Sequence, residues 1–465
     1  MIRLESNFKP EDLKNKLNRF WELSARKIQL IEKEYDESKG SPVFTVQGKY
    51  TTRGWTEWTR GFQYGSAILQ YDATGEKHFL EQAREAIVKK MASHISNMGV
   101  HDHGFNIVST YGNLLRLMCE RKIPFNKWEE EFYKLALKIS GAVQASRWTP
   151  LKTGGFIYSF NGSHSLFVDT IRSCRSLIIS HKLGHILLGE GDLKINMLER
   201  ALQHMKSTAN YSVYYGEGRD AYDLRGRTAH ECIFNIHDGS FRCPNSQQGY
   251  SAFSTWTRGL AWAMCGFSEL IEWIDSARQS GINLHDDGAD IELLALRAAT
   301  ATCDYYLQNT PTDGVPYWDT GAPLLHKIGD WLNNPSDPYN EFEPVDSSAA
   351  AIASQGLLRM GRYLKSKGQE KDGNRYWQSG LKTLSTLLEE PYISLNPDHQ
   401  GLLLHSVYHK PNGWDYIPER SKIPNGESGM WGDYHLREVC LYLQRIINNE
   451  TYLTFYNGIS WDQNS

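Results

Sequence analysis

Two aspartates in polar loops have surroundings that suit acid–base chemistry. Asp102 stands between two histidines in His101-Asp102-His103-Gly104-Phe105, and Asp169 has apolar neighbours in Phe167-Val168-Asp169-Thr170-Ile171. A carboxyl group that gives up a proton near neutral pH needs apolar burial or a second carboxylate to raise its pKa. Asp102 could supply that second charge to Asp169, and two carboxylates commonly carry out glycosidic chemistry. The alternative is that each aspartate caps the helix that follows it.

The His101-Asp102-His103 segment is also a potential metal site. Ligands one residue apart tend to diverge, and no second histidine pair of suitable spacing lies nearby. Phosphate-binding loops are not completed at Gly189-Glu190-Gly191 or Gly216-Glu217-Gly218, and no Gly-x-Ser-x-Gly nucleophile turn occurs. We therefore expect no metal and no cofactor.

A second cluster of polar and aromatic residues runs from His230 to Trp262. Gln248 lies in the loop that leads into a predicted helix, and Arg258 and Trp262 are four residues apart on that helix, hence on one face. A single histidine such as His230 is more often a structural residue, with its hydrogen bonds made inside the protein, than a functional one. Together these residues predict a polar pocket lined by aromatic side chains.

An aromatic residue two positions before an arginine occurs twice, as Trp58-Thr59-Arg60 and Trp256-Thr257-Arg258. Aromatic rings stack on the C–H faces of sugars, and arginine can hold a carboxylate with two hydrogen bonds. The structural alternative is an arginine packed on a tryptophan where a helix begins. Trp55 and Trp318 also stand in polar loops, where packing explains aromatic residues less well than on helix faces.

The composition excludes several classes of protein. The chain has 465 residues, 56 of them aromatic (14 Trp, 25 Tyr and 17 Phe), and a net charge of −4. A mean hydropathy of −0.52 without a long apolar run excludes a membrane span, and the lack of a basic excess argues against nucleic-acid binding. Seven widely spaced cysteines predict free thiols in a reducing compartment. We expect a cytoplasmic protein, or a periplasmic one if a signal peptide has been removed.

Helical periodicity dominates, with about twelve segments that carry one apolar face. One example is Phe132, Leu135, Ile139 and Val143. Strand-like alternation is brief, at 155–160 and 232–236, and indicates hairpins in long loops. No stretch looks like a linker, and no fixed repeat favours the rival solenoid. We therefore expect one domain over residues 1–465, a toroid of paired helices that includes an N-terminal helix at about 10–35.

The motifs resemble, in order, those of unsaturated glucuronyl hydrolases, glycoside hydrolase family 88. The first four are Trp58-Thr59-Arg60-Gly61-Phe62, His101 to Phe105, Val168-Asp169-Thr170, and Gln248-Gly249-Tyr250 through Trp262. The C-terminal ones are Pro316-Tyr317-Trp318-Asp319, Asp346-Ser347-Ser348-Ala349-Ala350-Ala351 and Trp431-Gly432-Asp433-Tyr434. The rhamnogalacturonyl hydrolases of family 105 share the fold and some of these marks.

The resemblance implies an all-α (α/α)6 barrel and a substrate made by polysaccharide lyases, an oligosaccharide with a 4,5-unsaturated uronic acid at its non-reducing end. It implies that Asp169 is the general acid and base in hydration of the C4=C5 bond, with Asp102 as the second catalytic carboxylate. It further implies that the substrate or the water is positioned by a set of aromatic, imidazole and polar side chains: Trp58, His101, His230, Gln248, Arg258 and Trp262.

The sequence departs from the family pattern in three places that bear on substrate preference. Ile171-Arg172-Ser173-Cys174-Arg175 replaces an apolar stretch, Ser251 to Ser254 replace acidic residues, and His103 replaces an apolar one. Arg172 or Arg175 could face a sulfate if oriented inward. A glycosidase acting on saturated uronides and a non-catalytic carbohydrate-binding toroid remain alternatives. We expect a monomer or a weak homodimer.

Overall fold

The apolar stripes of the sequence form helices in the computed structural model, which describes residues 1–4, 7–54, 57–282, 284 and 291–459. Trp55, one of the aromatic residues noted above, lies outside the described residues. The α-helices are α1 Lys14–Glu34, α2 Arg60–Thr74, α3 Lys77–Lys90, α4 Ala92–Ile95, α5 His103–Asn106, α6 Asn113–Cys119, α7 Lys127–Ser146, α8 Thr170–Lys182, α9 Met197–Ser207, α10 Thr257–Gln279, α11 Ile291–Gln308, α12 Ser347–Ser366, α13 Glu370–Leu387 and α14 Met430–Ile447.

Short strands lie in the loops between the helices. They are β1 Phe44–Val46, β2 Lys49–Thr51, β3 Trp148–Pro150, β4 Gly155–Ile157, β5 Ser165–Phe167, β6 Ile186–Leu188, β7 Lys194–Asn196, β8 Glu231–Phe234 and β9 Phe241–Asn245. The pairs β1–β2, β3–β4 and β6–β7 are antiparallel hairpins, and β5, β8 and β9 form an antiparallel sheet in that order. The strands predicted within 155–160 and 232–236 correspond to β4 and β8.

Six helical segments form a closed inner ring. Helix α2 packs on α5 and the π-helical turn Val108–Gly112 that continues it, α5 packs on α8, and the ring continues through α10, α12 and α14 back to α2. The outer helices α1, α3, α7, α9, α11 and α13 cover this ring. The inner helices α8, α10, α12 and α14 are buried on almost all sides, whereas outer helices such as α1 bury one stripe. This arrangement is the predicted (α/α)6 barrel.

The sequence predicted the wrong buried face for α7. Leu135 and Ile139 are exposed, by 56% and 37%, while Ser140 and Gly141 are on the buried face. A Cβ atom at Gly141 would approach the Cβ atom of Ser180 to 2.3 Å, so small residues are needed where α7 packs on α8. The buried face of α7 combines the apolar residues Tyr133 and Leu137 with these small residues, which allow the close approach to α8.

Among the described residues, no helix is both long and apolar enough to span a bilayer. All seven cysteines are free thiols, as expected from their spacing.

Candidate active site

A cavity of about 430 Å³ opens at the end of the barrel where the inner helices begin. Its described walls combine aromatic rings with a similar number of polar and charged groups: Glu57, Trp58, Asn97, Gly99, Val100, His101, Asp102, Phe105, Phe160, Asp169, Gln247, Gln248, Trp256, Arg258, Trp262, Tyr408, His409 and Trp414. Helix N-termini carry partial positive charge, so this end of the ring favours an anionic ligand.

Asp102 and Asp169 occupy the N-cap positions of α5 and α8, but neither side chain accepts a capping hydrogen bond. The capping alternative is therefore wrong for both residues. Both side chains are buried and line the cavity. By contrast, Asp346 is a true cap, because its carboxylate accepts hydrogen bonds from the backbone of Ser348 and Ala349 at the start of α12.

The two aspartates meet because α5 and α8 approach each other closely. A Cβ atom at Gly104 would lie 2.3 Å from the Cα atom of Ser173, so only glycine fits at this crossing. His101 lies between the carboxylates, with its Nε2 atom 3.6 Å from Asp169 and 3.9 Å from Asp102. The structure thus brings together the two predicted carboxylates and the predicted imidazole.

Burial and charge separate the pKa values of the two carboxyl groups. Burial, with the nearby Asp169 charge, raises the pKa of Asp102 to about 6. Burial alone would also raise the pKa of Asp169, but the attraction of the His101 imidazole, 3.6 Å away, outweighs it and lowers that pKa. The imidazole shows the reciprocal effect: burial would lower the pKa of His101, and the two carboxylates raise it. The reasoning from sequence, in which Asp102 raises the pKa of Asp169, is reversed in the structure.

His103 does not belong to the site. Its Nδ1 atom is 2.9 Å from the Ser140 hydroxyl and its Nε2 atom 2.9 Å from the Asn97 carbonyl, beside α7. His103 is therefore excluded from the possible metal ligands considered from the sequence. Within the described chain, His101, Asp102 and Asp169 are the group that could hold a cation, with ligand atoms within 4.8 Å of one another.

His230 lies directly behind Asp169 because β5 and β8 pair and the amide of Val168 donates to the His230 carbonyl at 3.0 Å. Its Nδ1 atom accepts hydrogen bonds from the backbone of Gln247 and Gln248, at 3.0 and 3.2 Å. Burial lowers the pKa of His230 to about 3, so the ring is neutral and carries its proton on Nε2. That Nε2 atom is buried without a hydrogen-bond partner in the described protein, and His230 is not among the residues that line the cavity.

Arg258 is already saturated by the protein. Its guanidinium donates to Asp346 at 3.0 Å, to the Gln248 amide oxygen at 2.9 Å, and to the carbonyls of Val407 and Tyr408. Asp346 neutralises its charge, and the contact with Gln248 directs that amide's NH2 group away from Arg258. The structure therefore places Arg258 in the site as the group that orients Gln248 and the loop at 407–408.

Tryptophan rings form two walls of the cavity. Trp58 stacks on the buried Trp431 with ring centroids 5.6 Å apart, and Trp262 packs against Phe105 at 4.7 Å. Trp318, which the sequence grouped with the loop aromatics, does not line the cavity; it is buried and its indole N–H donates to Glu343 at 2.8 Å.

Sequence reasoning missed the wall formed by Phe160, Tyr408, His409 and Trp414. Three of these residues lie within seven positions of each other in a loop that also contains Pro411 and Gly413. The clustering of aromatic residues in this loop is the feature of the sequence that could have predicted this wall.

Arg172 and Arg175 face the interior of the ring, below the cavity. Arg172 donates to Glu269 at 3.0 Å and to Glu438 at 2.5 Å, and Arg175 donates to the Gly104 carbonyl at 2.7 Å. Both guanidinium groups are buried. The suggestion that either arginine could contact a sulfate is therefore wrong.

Comparisons with known proteins find similar sequences among the curated enzymes. No family model matches the chain. An unsaturated glucuronyl hydrolase of Formosa agariphila is 24% identical over 396 residues, covering 84% of this chain and 81% of that protein, and one of a Bacillus species is 26% identical over 420 residues, covering 87% and 90%. An unsaturated chondroitin disaccharide hydrolase of Streptococcus agalactiae is 25% identical over 409 residues, covering 85% and 84%.

Solved structures show the same fold. The crystal structure of the unsaturated glucuronyl hydrolase of Bacillus sp. GL1 superposes with a TM-score of 0.69 at 21% identity, over 93% of this chain and 97% of that one. A structure of an unsaturated glucuronyl hydrolase specific for heparin also gives 0.69, at 18% identity, over 94% and 100%. Over most of its length and in its (α/α)6 fold, the chain is similar to the unsaturated glucuronyl hydrolases.

Proposed function

We propose that this chain is a glycoside hydrolase that removes a 4,5-unsaturated uronic acid from the non-reducing end of oligosaccharides produced by polysaccharide lyases. The observation that carries the proposal is the pair of buried carboxylates, Asp102 and Asp169, with His101 between them at the wall of a cavity that also holds aromatic rings. The helix N-termini around the cavity favour the anionic uronate. The relatives named above act on substrates of this kind.

The reaction begins with proton transfer to C4 of the vinyl ether, which leaves positive charge shared by C5 and the ring oxygen. Water adds to C5 and loses a proton to the carboxylate, so the acid is restored. The hemiketal at C5 then opens, C1 becomes an aldehyde, and the remaining sugar departs with its oxygen. One water molecule is consumed.

Asp169 is the group that delivers and takes back the proton. In the free protein, the pair Asp102 and Asp169 retains one proton up to about pH 6, because the pKa of Asp102 is raised and that of Asp169 is lowered. The two groups titrate as a unit. An anionic substrate beside Asp169 favours transfer of this proton to Asp169, since added negative charge stabilises the neutral acid.

The other site residues position the reactants. The Gln248 amide, oriented by Arg258, provides a donor to the substrate. His230 positions that donor from behind, because its Nδ1 atom accepts hydrogen bonds from the backbone of Gln247 and Gln248. Trp58 stacks on the sugar ring, as aromatic residues do in carbohydrate sites, and Trp262 closes the opposite wall.

The test is loss of ultraviolet absorbance when the protein is incubated with unsaturated disaccharides from glycosaminoglycan, ulvan, gellan and pectin. We expect at least one to lose its double bond and to release an unmodified partner sugar. If no unsaturated uronide reacts and a saturated uronide is hydrolysed, the chain is an ordinary glycosidase. Binding without turnover, unaffected by substitution of either aspartate, would indicate a carbohydrate-binding toroid.

A further inference from the structure

One face of the outer helix α7 is apolar and open to solvent. Trp128 is 80% exposed, Leu135 and Ile139 are exposed on the same face, and Phe132 between them is half-buried. The opposite face of the helix is the one that packs on α8. Large apolar side chains grouped on one surface mark a contact with another molecule.

The spacing along this face is that of a helix that pairs with a second helix. The residues follow one another at intervals of four, three, four and three: Trp128, Phe132, Leu135, Ile139 and Ala142. Apolar residues at this alternating spacing form the seam between two paired helices. The large side chains of this seam are left open within the described chain, so the seam lacks its second helix.

The β6–β7 hairpin widens the apolar surface beside α7. Strand β6 lies next to α7, and the side chains of Ile186, Leu188 and Leu193 on the hairpin are exposed. The surface offered to a partner is therefore a helical seam with an apolar hairpin at its edge.

The charges along α7 make this surface complementary to a second copy of itself. Residues 127–131 contain three glutamates and one lysine, whereas residues 132–146 contain Lys134 and Lys138 and no acidic residue. When two copies of the helix run antiparallel, the acidic end of each lies against the basic end of the other. A parallel pair would instead bring like charges together, which opposes association.

The seam also fixes the register of an antiparallel pair. When Phe132 of one copy packs on Leu135 of the other, Trp128 packs on Ile139. In this register Glu131, at the edge of the seam, lies beside Lys138 of the second copy. Each contact occurs twice about the twofold axis, as an isologous interface requires.

We propose that α7 is the interface of an antiparallel homodimer, in which Glu131 of each copy pairs with Lys138 of the other. A second copy is the occupant that fits, because one helix carries both the apolar seam and the two halves of the charge pattern. A helix pair flanked by hairpins buries at most about 1,200 Å² in total, the size of weak contacts, so we expect a Kd in the micromolar range. The inference does not depend on the proposed function.

The experiment is sedimentation velocity of the full chain from about 1 to about 300 µM, a range that brackets a micromolar Kd. Glu131→Lys and Lys138→Glu each bring like charges together, and the double variant restores opposite charges in exchanged positions. Leu135→Asp places a charge in the seam. Leu395→Asp is the matched control, since Leu395 is 43% exposed and lies in the loop after α13. Far-ultraviolet circular dichroism checks that every variant is folded.

We expect the wild type and the Leu395→Asp control to associate as the concentration rises. Leu135→Asp and each single charge reversal should weaken association by about tenfold or more, and the double reversal should recover it. A chain that stays monomeric throughout the range overturns the dimer. Association that survives Leu135→Asp overturns α7 as the interface, and a double reversal that associates no better than either single one overturns the antiparallel register.

Discussion

Exchanging each carboxylate of the candidate active site, Asp102 or Asp169, for its neutral isostere should change the free energy of unfolding in opposite directions. The pKa of Asp102 is raised from 3.8 to about 6 in the folded protein, so ionisation of Asp102 opposes folding. The pKa of Asp169 is lowered, so ionisation of Asp169 favours folding. The two residues are similarly buried and lie beside the same imidazole, which makes them matched controls for each other.

The magnitude for Asp102 follows from the pKa difference. The step from 3.8 to about 6 corresponds to about 3 kcal/mol, at 1.36 kcal/mol for each pKa unit. A raised carboxyl pKa gives stability that is present below pH 3.8 and is lost as the pH rises through about 6. Asp102→Asn removes this loss. We expect it to raise the free energy of unfolding by up to about 3 kcal/mol near pH 8, and by about half of that near pH 5.

Asp169→Asn should lower the free energy of unfolding at neutral pH, because it removes the carboxylate that His101 stabilises. This lowered pKa gives stability that is present above 3.8 and is lost as the pH falls through the folded value. The destabilisation should therefore fade at acid pH.

The assay is urea unfolding followed by far-ultraviolet circular dichroism, for the wild type and both variants, near pH 5 and near pH 8. The slope of the transition should stay constant, so that the midpoint reports stability. The reasoning is refuted if Asp102→Asn destabilises the protein at pH 8, or if the two variants shift the midpoint in the same direction. A gain that does not depend on pH would show that hydrogen bonding, rather than charge, explains the effect.

Further expectations concern activity. Asp169→Asn should lower kcat by about 10²–10⁴-fold while calorimetry detects unchanged substrate binding; a fully active variant would reject it as the acid. The kcat/KM value should fall above the pKa of Asp102, about 6, by about tenfold for each pH unit, and a rate that is flat to pH 8 would contradict this. Sulfated disaccharides should react about tenfold or more slowly than unsulfated ones. Among the described lining residues, Arg258 is the one lysine or arginine, and Asp346 neutralises its charge. The lining also contains the carboxylate of Glu57, which would repel a sulfate. Glu57→Gln should narrow that ratio. Arg258→Met should destabilise the protein by about 3–5 kcal/mol in urea unfolding, because Asp346 is left buried without its partner.

Much of the site could be predicted because its residues are of unusual type for their local context. Asp169 between apolar residues and Asp102 between histidines both line the cavity. Which of them holds the proton could not be predicted, because it depends on how closely His101 approaches each carboxylate in space. The role of Arg258 was also hidden, since its partners Asp346 and Tyr408 are far away in the sequence.

The fold shows the same division. Periodicity predicted the helices and their pairing into a barrel, because an apolar stripe must be buried whatever its partner. It predicted the wrong face for α7, since small residues such as Gly141 are selected by the closeness of α8, and this distance is a property of the assembled ring. Trp318 stands in a polar loop, where the sequence offered no packing explanation, because its partner, Glu343, is identified only by the folded chain.

Closure of the ring has a consequence for synthesis of the chain. Helix α2 packs against α14, so one edge of α2 has no neighbour until residues near 447 have been made. The N-terminal helix is likewise tied to the other end of the chain, because the Lys27 amino group donates to the His399 carbonyl at 2.7 Å. Contacts between such distant residues form late and slowly. During translation the partly made barrel therefore exposes apolar helix faces for most of its growth, and this is the period in which chaperones would have most to bind.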